Sequence, residues 1–196
     1  MAATGTRPLR ADAQRNRDKL LDAAVRAFSR GGPEVTLEAI ARDAGVGIGT
    51  LYRHFPTREA LVEAAYRNEL ARLCDVVPEL LAAEPPDQAM RIWMDRFVDY
   101  MSTKHGMADA LRAVIASGGN PFAESRDRLL AAVTALLEAG VAAGTLRSDI
   151  TPSDVLTSLS GVSMVTANQA QPDQARRILD LLIDGLRYRA AQPSPS

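Results

Sequence analysis

The sequence is poor in the residues that metal, redox and disulfide chemistry draw on: its 196 residues include one cysteine, Cys74, and two histidines, His54 and His105. A lone cysteine forbids an internal disulfide framework and leaves a thiol suited to a reducing compartment. Cys/His metal spacing is missing, as are a G-x-S-x-G elbow and a phosphate-cradling glycine loop. Neither a catalytic residue, a metal nor a cofactor is therefore expected. Aromatic residues make up only 5%, and strand-like alternation is almost absent. Long apolar runs are missing too. Met1 to Arg17 carries Arg7, Arg10, Arg15 and Arg17 but lacks the apolar core of a secretory signal. The stretch Val155–Pro172 has 18 residues without a charge, yet Thr157, Ser158, Ser160, Ser163, Thr166, Asn168, Gln169 and Gln171 interrupt it. It is too polar to span lipid, which predicts a soluble, cytoplasmic protein with no membrane partner. The net charge of -1 excludes a uniformly basic coat, but not a local basic patch.

Helical periodicity fills the space left by these absences. A first helix is expected from about Asp12, with Leu20, Leu21, Ala24 and Phe28 on one face, stopped by Gly31-Gly32-Pro33. Thr36 is placed as the N-cap of a short helix over Leu37–Asp43, with Ile40 and Ala41 facing inward. Gly45 breaks it, and a third helix runs from about Gly47 to His54. Thr57, after Pro56, caps a fourth that carries Leu61, Val62, Ala65 and Leu70. Further on, Met90, Trp93, Met94, Phe97, Val98 and Met101 form an amphipathic stripe. A shorter helix holds Leu111, Val114 and Ile115. Asn120-Pro121 is expected to open the next, and Gly144 to end it. Thr151-Pro152-Ser153-Asp154 reads as a capping box, and Pro172-Asp173 opens the last helix. The expected class is all-α. Residues 1–13 are expected to form a flexible basic arm, 14–73 a small helical domain, 74–190 a larger helical-bundle domain, and 191–196 a Pro/Ser-rich disordered tail.

Charge divides along the same line. Residues 1–72 hold 12 Lys+Arg and 9 Asp+Glu, whereas residues 73–196 hold 11 and 15. A mildly basic start on an acidic body is expected where only the start meets phosphate. Residues 36–55 have helix-turn-helix spacing, a short helix supporting a second across Ala44-Gly45-Val46. Leu51 and Phe55, four residues apart, are expected to point inward, leaving Thr50, Tyr52, Arg53 and His54 to face a major groove about 12 Å wide.

The string from Ala44 to Leu61, AGVGIGTLYRHFPTREAL, resembles the DNA-binding domain of the TetR family of transcriptional regulators, and the resemblance extends more loosely over residues 14–73. It implies a homodimer that binds a palindromic operator, represses transcription, and is released by a small ligand held in the C-terminal domain. It also implies DNA contacts at Thr36, Ile48, Thr50, Tyr52, His54 and Arg58. Family members often carry polar or basic residues where this chain has Gly47-Ile48-Gly49. The two glycines weaken the helix start by about 1 kcal/mol each but let backbone N–H groups approach a phosphate. Ile48 offers no hydrogen bond to a base edge and suits a thymine methyl. Base readout then leans on Tyr52 and Arg53, with Arg58 as a phosphate partner and the arm from Arg7 to Lys19 adding groove or phosphate contacts. The same glycines leave open a helical protein-interaction module that no longer binds DNA.

Self-association is expected from the charge-free Val155–Pro172 helix and from the wide apolar arc of the last helix. The expected interface residues are Val155, Leu159, Val162 and Val165 with Leu179, Leu182, Ile183 and Leu186, in an isologous four-helix arrangement. Met90, Trp93, Met94, Phe97, Tyr100, Met101, His105 and Met107 concentrate soft and aromatic side chains that suit an apolar or aromatic effector. Such a stripe equally suits core packing, above all at Trp93, Phe97 and Tyr100. The second half is also similar to the C-terminal domains of SbtR-like members of the family.

Overall fold

A computed structural model describes residues 6–31, 34–167 and 172–187. Among the described residues there are ten helices and no strand, as the all-α class requires. They are α1 (Thr6–Gly31), α2 (Leu37–Asp43), α3 (Ile48–His54), α4 (Arg58–Asp75), α5 (Val77–Ala83), α6 (Pro86–Gly106), α7 (Ala108–Ala116), α8 (Ser125–Ala142), α9 (Pro152–Ala167) and α10 (Pro172–Arg187). None is long and apolar enough to cross a membrane.

Two compact units divide the described chain. The first runs up to Glu69 and also takes Thr103–Pro121; the second combines Leu70–Ser102 with the chain from Phe122 onward. The expected boundary after residue 73 lies close to the first seam, but the return of Thr103–Pro121 to the N-terminal unit was not expected. Gly106 is the physical reason. A Cβ there would fall 2.8 Å from the carbonyl oxygen of Ser29, so only glycine lets the end of α6 lie this close to α1.

In the N-terminal unit α1 packs on α2 and α3, and α2 on α3. Leu20, Leu21, Ala24 and Phe28 of α1 are buried as the periodicity requires, with Ile40, Ala41, Leu51, Phe55, Leu61, Val62, Ala65 and Tyr66. Helix α1 starts at Thr6, not near Asp12, so much of the expected flexible arm is helical. Pro8 permits this because it sits in the first turn, where a missing N–H loses no helical bond. The first five residues, the expected stop at Gly32-Pro33 and the tail 191–196 lie outside the described residues.

In the C-terminal unit α8 packs on α5 and α9, and α9 on α10. The α6 stripe is buried at Met90, Trp93, Met94, Phe97 and Tyr100. Trp93 Nε1 donates to the Leu73 carbonyl at 2.9 Å, which satisfies the indole's single donor inside the core. Ion pairs join α6 to α10: Arg91 with Asp180 at 2.8 Å, and Arg187 with Asp87 at 2.7 Å. Burial pushes the Cys74 thiol up to about 11, so it stays protonated at neutral pH.

One helix was not expected, and one expected start shifts. Helix α5 carries no periodic signal long enough to separate it from α4. Helix α8 begins at Ser125 rather than at Pro121, because residues 121–124 first form turns, Ser125 N–H donating to the Phe122 carbonyl at 3.0 Å.

Candidate nucleic-acid interface

Helix α2 opens on Thr36, whose Oγ1 accepts from the Ala39 N–H at 3.2 Å, the cap its sequence position predicts. It closes with Gly45 at φ +64°. Gly45 N–H donates to the Arg42 carbonyl at 3.1 Å and Val46 N–H to the Ala41 carbonyl at 2.9 Å. That paired pattern needs a left-handed residue at this position, which glycine adopts without strain. Helix α3 follows at once from Gly47, whose carbonyl accepts from Thr50 and Leu51. Thr57 Oγ1 then accepts from the Ala60 N–H at 3.1 Å and fixes the start of α4.

This scaffold sorts α3 into two faces. Leu51 is fully buried and Phe55 nearly so. Ile48 and Tyr52, one turn apart, are 38% and 47% exposed, and Gly47, Gly49 and Arg53 are exposed beside them. Thr50 and His54 are half-buried, and the His54 ring lies 6.1 Å from that of Phe55. A Cβ at Gly47 or Gly49 would meet nothing within 4 Å. Of the predicted contact side chains, Ile48, Thr50, Tyr52, Arg53 and His54 thus share one short helix with an open outer surface, while Thr36 caps α2 and Arg58 begins α4.

Two expected contact groups are occupied within the fold. Arg58 is half-buried: its Nη1 donates to the Val35 carbonyl, and its guanidinium carbon sits 4.7 Å from the Phe28 ring centroid. Arg58 therefore ties α4 to the segment before α2 and to α1, and its guanidinium is not a free phosphate partner. In the expected arm, Arg17 lies over the Phe55 ring at 5.5 Å and Arg15 pairs with Asp12. Sequence reasoning missed these contacts, together with the Arg26–Asp43 ion pair at 2.7 Å that joins α1 to α2. Except for Arg15 and Asp12, three residues apart on α1, these partners are too distant in the chain for a local signal to mark them.

The expected interface residues are placed differently from the expectation. Val155, Leu159, Leu179, Ile183 and Leu186 are buried inside their own chain, Val162 and Leu182 are half-buried, and Val165 is 51% exposed. The five buried residues fill the subunit core and offer no outer surface. A stretch without charges reads as apolar all round, yet Thr157, Ser158 and Ser160 stand outward on α9 and Ser163 is buried in it. Ser158, Ser160 and Ser163 return their hydroxyls to the carbonyls four residues earlier, at 2.7–2.9 Å. Among the described residues, the exposed large apolar side chains of α9 and α10 are Val165, Met164 at 65% exposure and Leu181 at 73%.

The eight residues expected to line an effector site are divided between the two units. Met90, Trp93, Met94, Phe97 and Tyr100 are core of the C-terminal unit, the Trp93 and Phe97 rings lying 5.6 Å apart and those of Phe97 and Tyr100 6.2 Å. Met101 is half-buried. His105 and Met107 belong to the other unit, where His105 is exposed and Met107 buried.

Comparison with known proteins agrees with this architecture. Residues 20–65 match the model of the tetR family of bacterial regulatory proteins, and residues 85–188 match the SbtR-like transcriptional regulator C-terminal domain. The transcriptional repressor AcnR of Corynebacterium diphtheriae is 30% identical over 184 residues, covering 91% of this chain and 94% of that protein. A TetR transcriptional regulator from Streptomyces coelicolor superposes with a TM-score of 0.85 at 59% identity, over 89% of this chain and 99% of that one. A TetR regulatory protein from Mycobacterium vanbaalenii follows at 0.76 and 35% identity, over 92% and 100%. With both of its domains and near-full-length relatives in agreement, the chain belongs to the TetR family of bacterial transcriptional regulators, DNA-binding proteins built on a helix-turn-helix.

Proposed function

We propose that this chain is a repressor that binds a palindromic operator as a homodimer and leaves it when a small apolar or aromatic molecule enters its C-terminal domain. The observation that carries the DNA-binding part is the division of α3: Leu51 and Phe55 are locked into the core, while Ile48, Tyr52 and Arg53 stand outward on the same seven-residue helix. Thr36 fits a phosphate contact, because its cap uses the hydroxyl as acceptor and leaves the proton to donate.

Dimerisation is supported by Met164, Val165 and Leu181, three large apolar side chains exposed on α9 and α10. The hydroxyls of Ser158, Ser160 and Ser163 are already bonded to the α9 backbone, so covering that part of the helix leaves these groups with a partner. Two copies set two α3 helices at the roughly 34–36 Å spacing, or a multiple of it, of half-sites on one face of a duplex. Effector release rests on the family and on the soft α6 stripe. Met90 and Met94 are fully buried on the helix that also carries Trp93 and Phe97, so a ligand enters there only as these flexible side chains give way.

The test is a gel-shift titration against the promoter beside the chain's own gene. Wild-type protein binds saturably and salt-sensitively, while Tyr52→Ala and Thr50→Ala abolish the shift and sediment as unaltered dimers. Normal binding by both variants overturns the contact assignment. Absence of wild-type binding at low salt overturns the operator reading in favour of the interaction module.

A further inference from the structure

Recognition helices of this docking type contact base edges with the residues of their N-terminal half. In α3 that half is Ile48, Gly49 and Thr50, preceded by Gly47. None carries the guanidinium or amide needed for bidentate pairing with guanine or adenine. Instead, Ile48 projects a branched apolar side chain with 38% of its surface exposed, and Tyr52 stands one turn behind it. The exposed part of that side chain is apolar surface that a partner gains by covering. Around it the glycines leave the surface bare, with nothing within 4 Å of a Cβ built at Gly47 or Gly49. A duplex can therefore approach the backbone closely, and in doing so bring the Ile48 side chain against the groove floor. The one apolar group displayed there by an unmodified base pair is the C5-methyl of thymine.

We propose that Ile48 reads a thymine methyl in each operator half-site, which makes methyl contact, rather than bidentate hydrogen bonding, the specificity device at the start of α3. The inference rests on the operator-binding reading above and assigns the base chemistry that reading leaves open. Gly49 serves the same contact by keeping the helix shoulder low. A methyl added there has room in the protein itself but meets the duplex.

The experiment starts with the full-length chain and a randomised double-stranded library, from which bound duplexes are selected and sequenced. Enrichment of none overturns the operator-binding reading and this inference with it. With an enriched duplex in hand, each invariant thymine in the α3-proximal half-site is replaced by deoxyuridine, which removes only the methyl. Losing one buried methyl weakens binding about fourfold, and one in each half-site about sixteenfold. Ile48→Ala, at an exposed position that leaves the fold intact, binds the thymine and deoxyuridine duplexes equally. Gly49→Ala keeps its thermal stability and binds the thymine duplex more weakly. A half-site without thymine, equal wild-type affinity for the two duplexes, or an undiminished deoxyuridine penalty in Ile48→Ala each overturns the proposal.

Discussion

At the scale of single residues, the most informative side chain is Arg58. Its place in the family motif marks it for DNA, yet its guanidinium donates to the Val35 carbonyl and lies over the Phe28 ring. Both contacts use the shape of the group as much as its charge, because a planar fork can stack and donate at the same time. Removing it leaves the Val35 carbonyl without that donor and uncovers one face of Phe28. Arg58→Ala is expected to lower stability by about 1–3 kcal/mol, and Arg58→Lys to recover little of it. Urea unfolding followed by circular dichroism checks this. An unchanged midpoint together with lost DNA binding would return Arg58 to the role of a phosphate contact. Tyr52 is the opposite case: half-exposed and outside the core, it can be truncated with little effect on folding.

At the scale of elements, the helix ends explain how much could be read in advance. Thr36, Thr57 and the Thr151–Asp154 pair all cap as their sequence positions require. Gly45 turns the chain between α2 and α3 because a left-handed residue is needed there. These are local rules, and they fixed the contact helix and its inward pair Leu51 and Phe55 within a residue or two. Rules of that kind say nothing of Arg17 on Phe55 or Arg58 on Phe28, which depend on how α1 and α4 pack. They also misplaced the buried residues of α9 and α10, since an uncharged helix does not reveal which side faces its own core. Thr57→Ala removes the α4 cap and is expected to cost about 1 kcal/mol in the same unfolding assay. The α9 cap is sensitive to pH. Hydrogen bonds from the Thr151 hydroxyl and N–H hold the Asp154 carboxyl below its ordinary value. A carboxyl depressed on folding stabilises the fold above its unfolded pKa and loses that contribution as pH falls through the lowered native value. Wild type and Asp154→Asn should therefore differ in unfolding midpoint at neutral pH and converge in acid. A gap that persists in acid would assign the effect to something other than the charge.

For the whole molecule, the proposed function requires two copies to be joined so that both α3 helices reach one duplex. The exposed apolar side chains of α9 and α10, rather than the buried ones, are where a second copy gains most from contact. Leu181→Arg and Met164→Arg place a charge on that surface without entering the core. Each is expected to sediment as a folded monomer and to bind the operator at least tenfold more weakly, since one half-site contact is lost. Dimers of unchanged mass would move the interface elsewhere. The central claim, that α3 is the element that reads DNA, is tested most directly by hydroxyl-radical footprinting of the full chain on its enriched duplex. The account predicts two symmetric protected patches with centres about 10 base pairs apart, or a multiple of that, both lost in Tyr52→Ala. Protection that survives Tyr52→Ala unchanged, or an unprotected duplex at saturating wild-type protein, would contradict it.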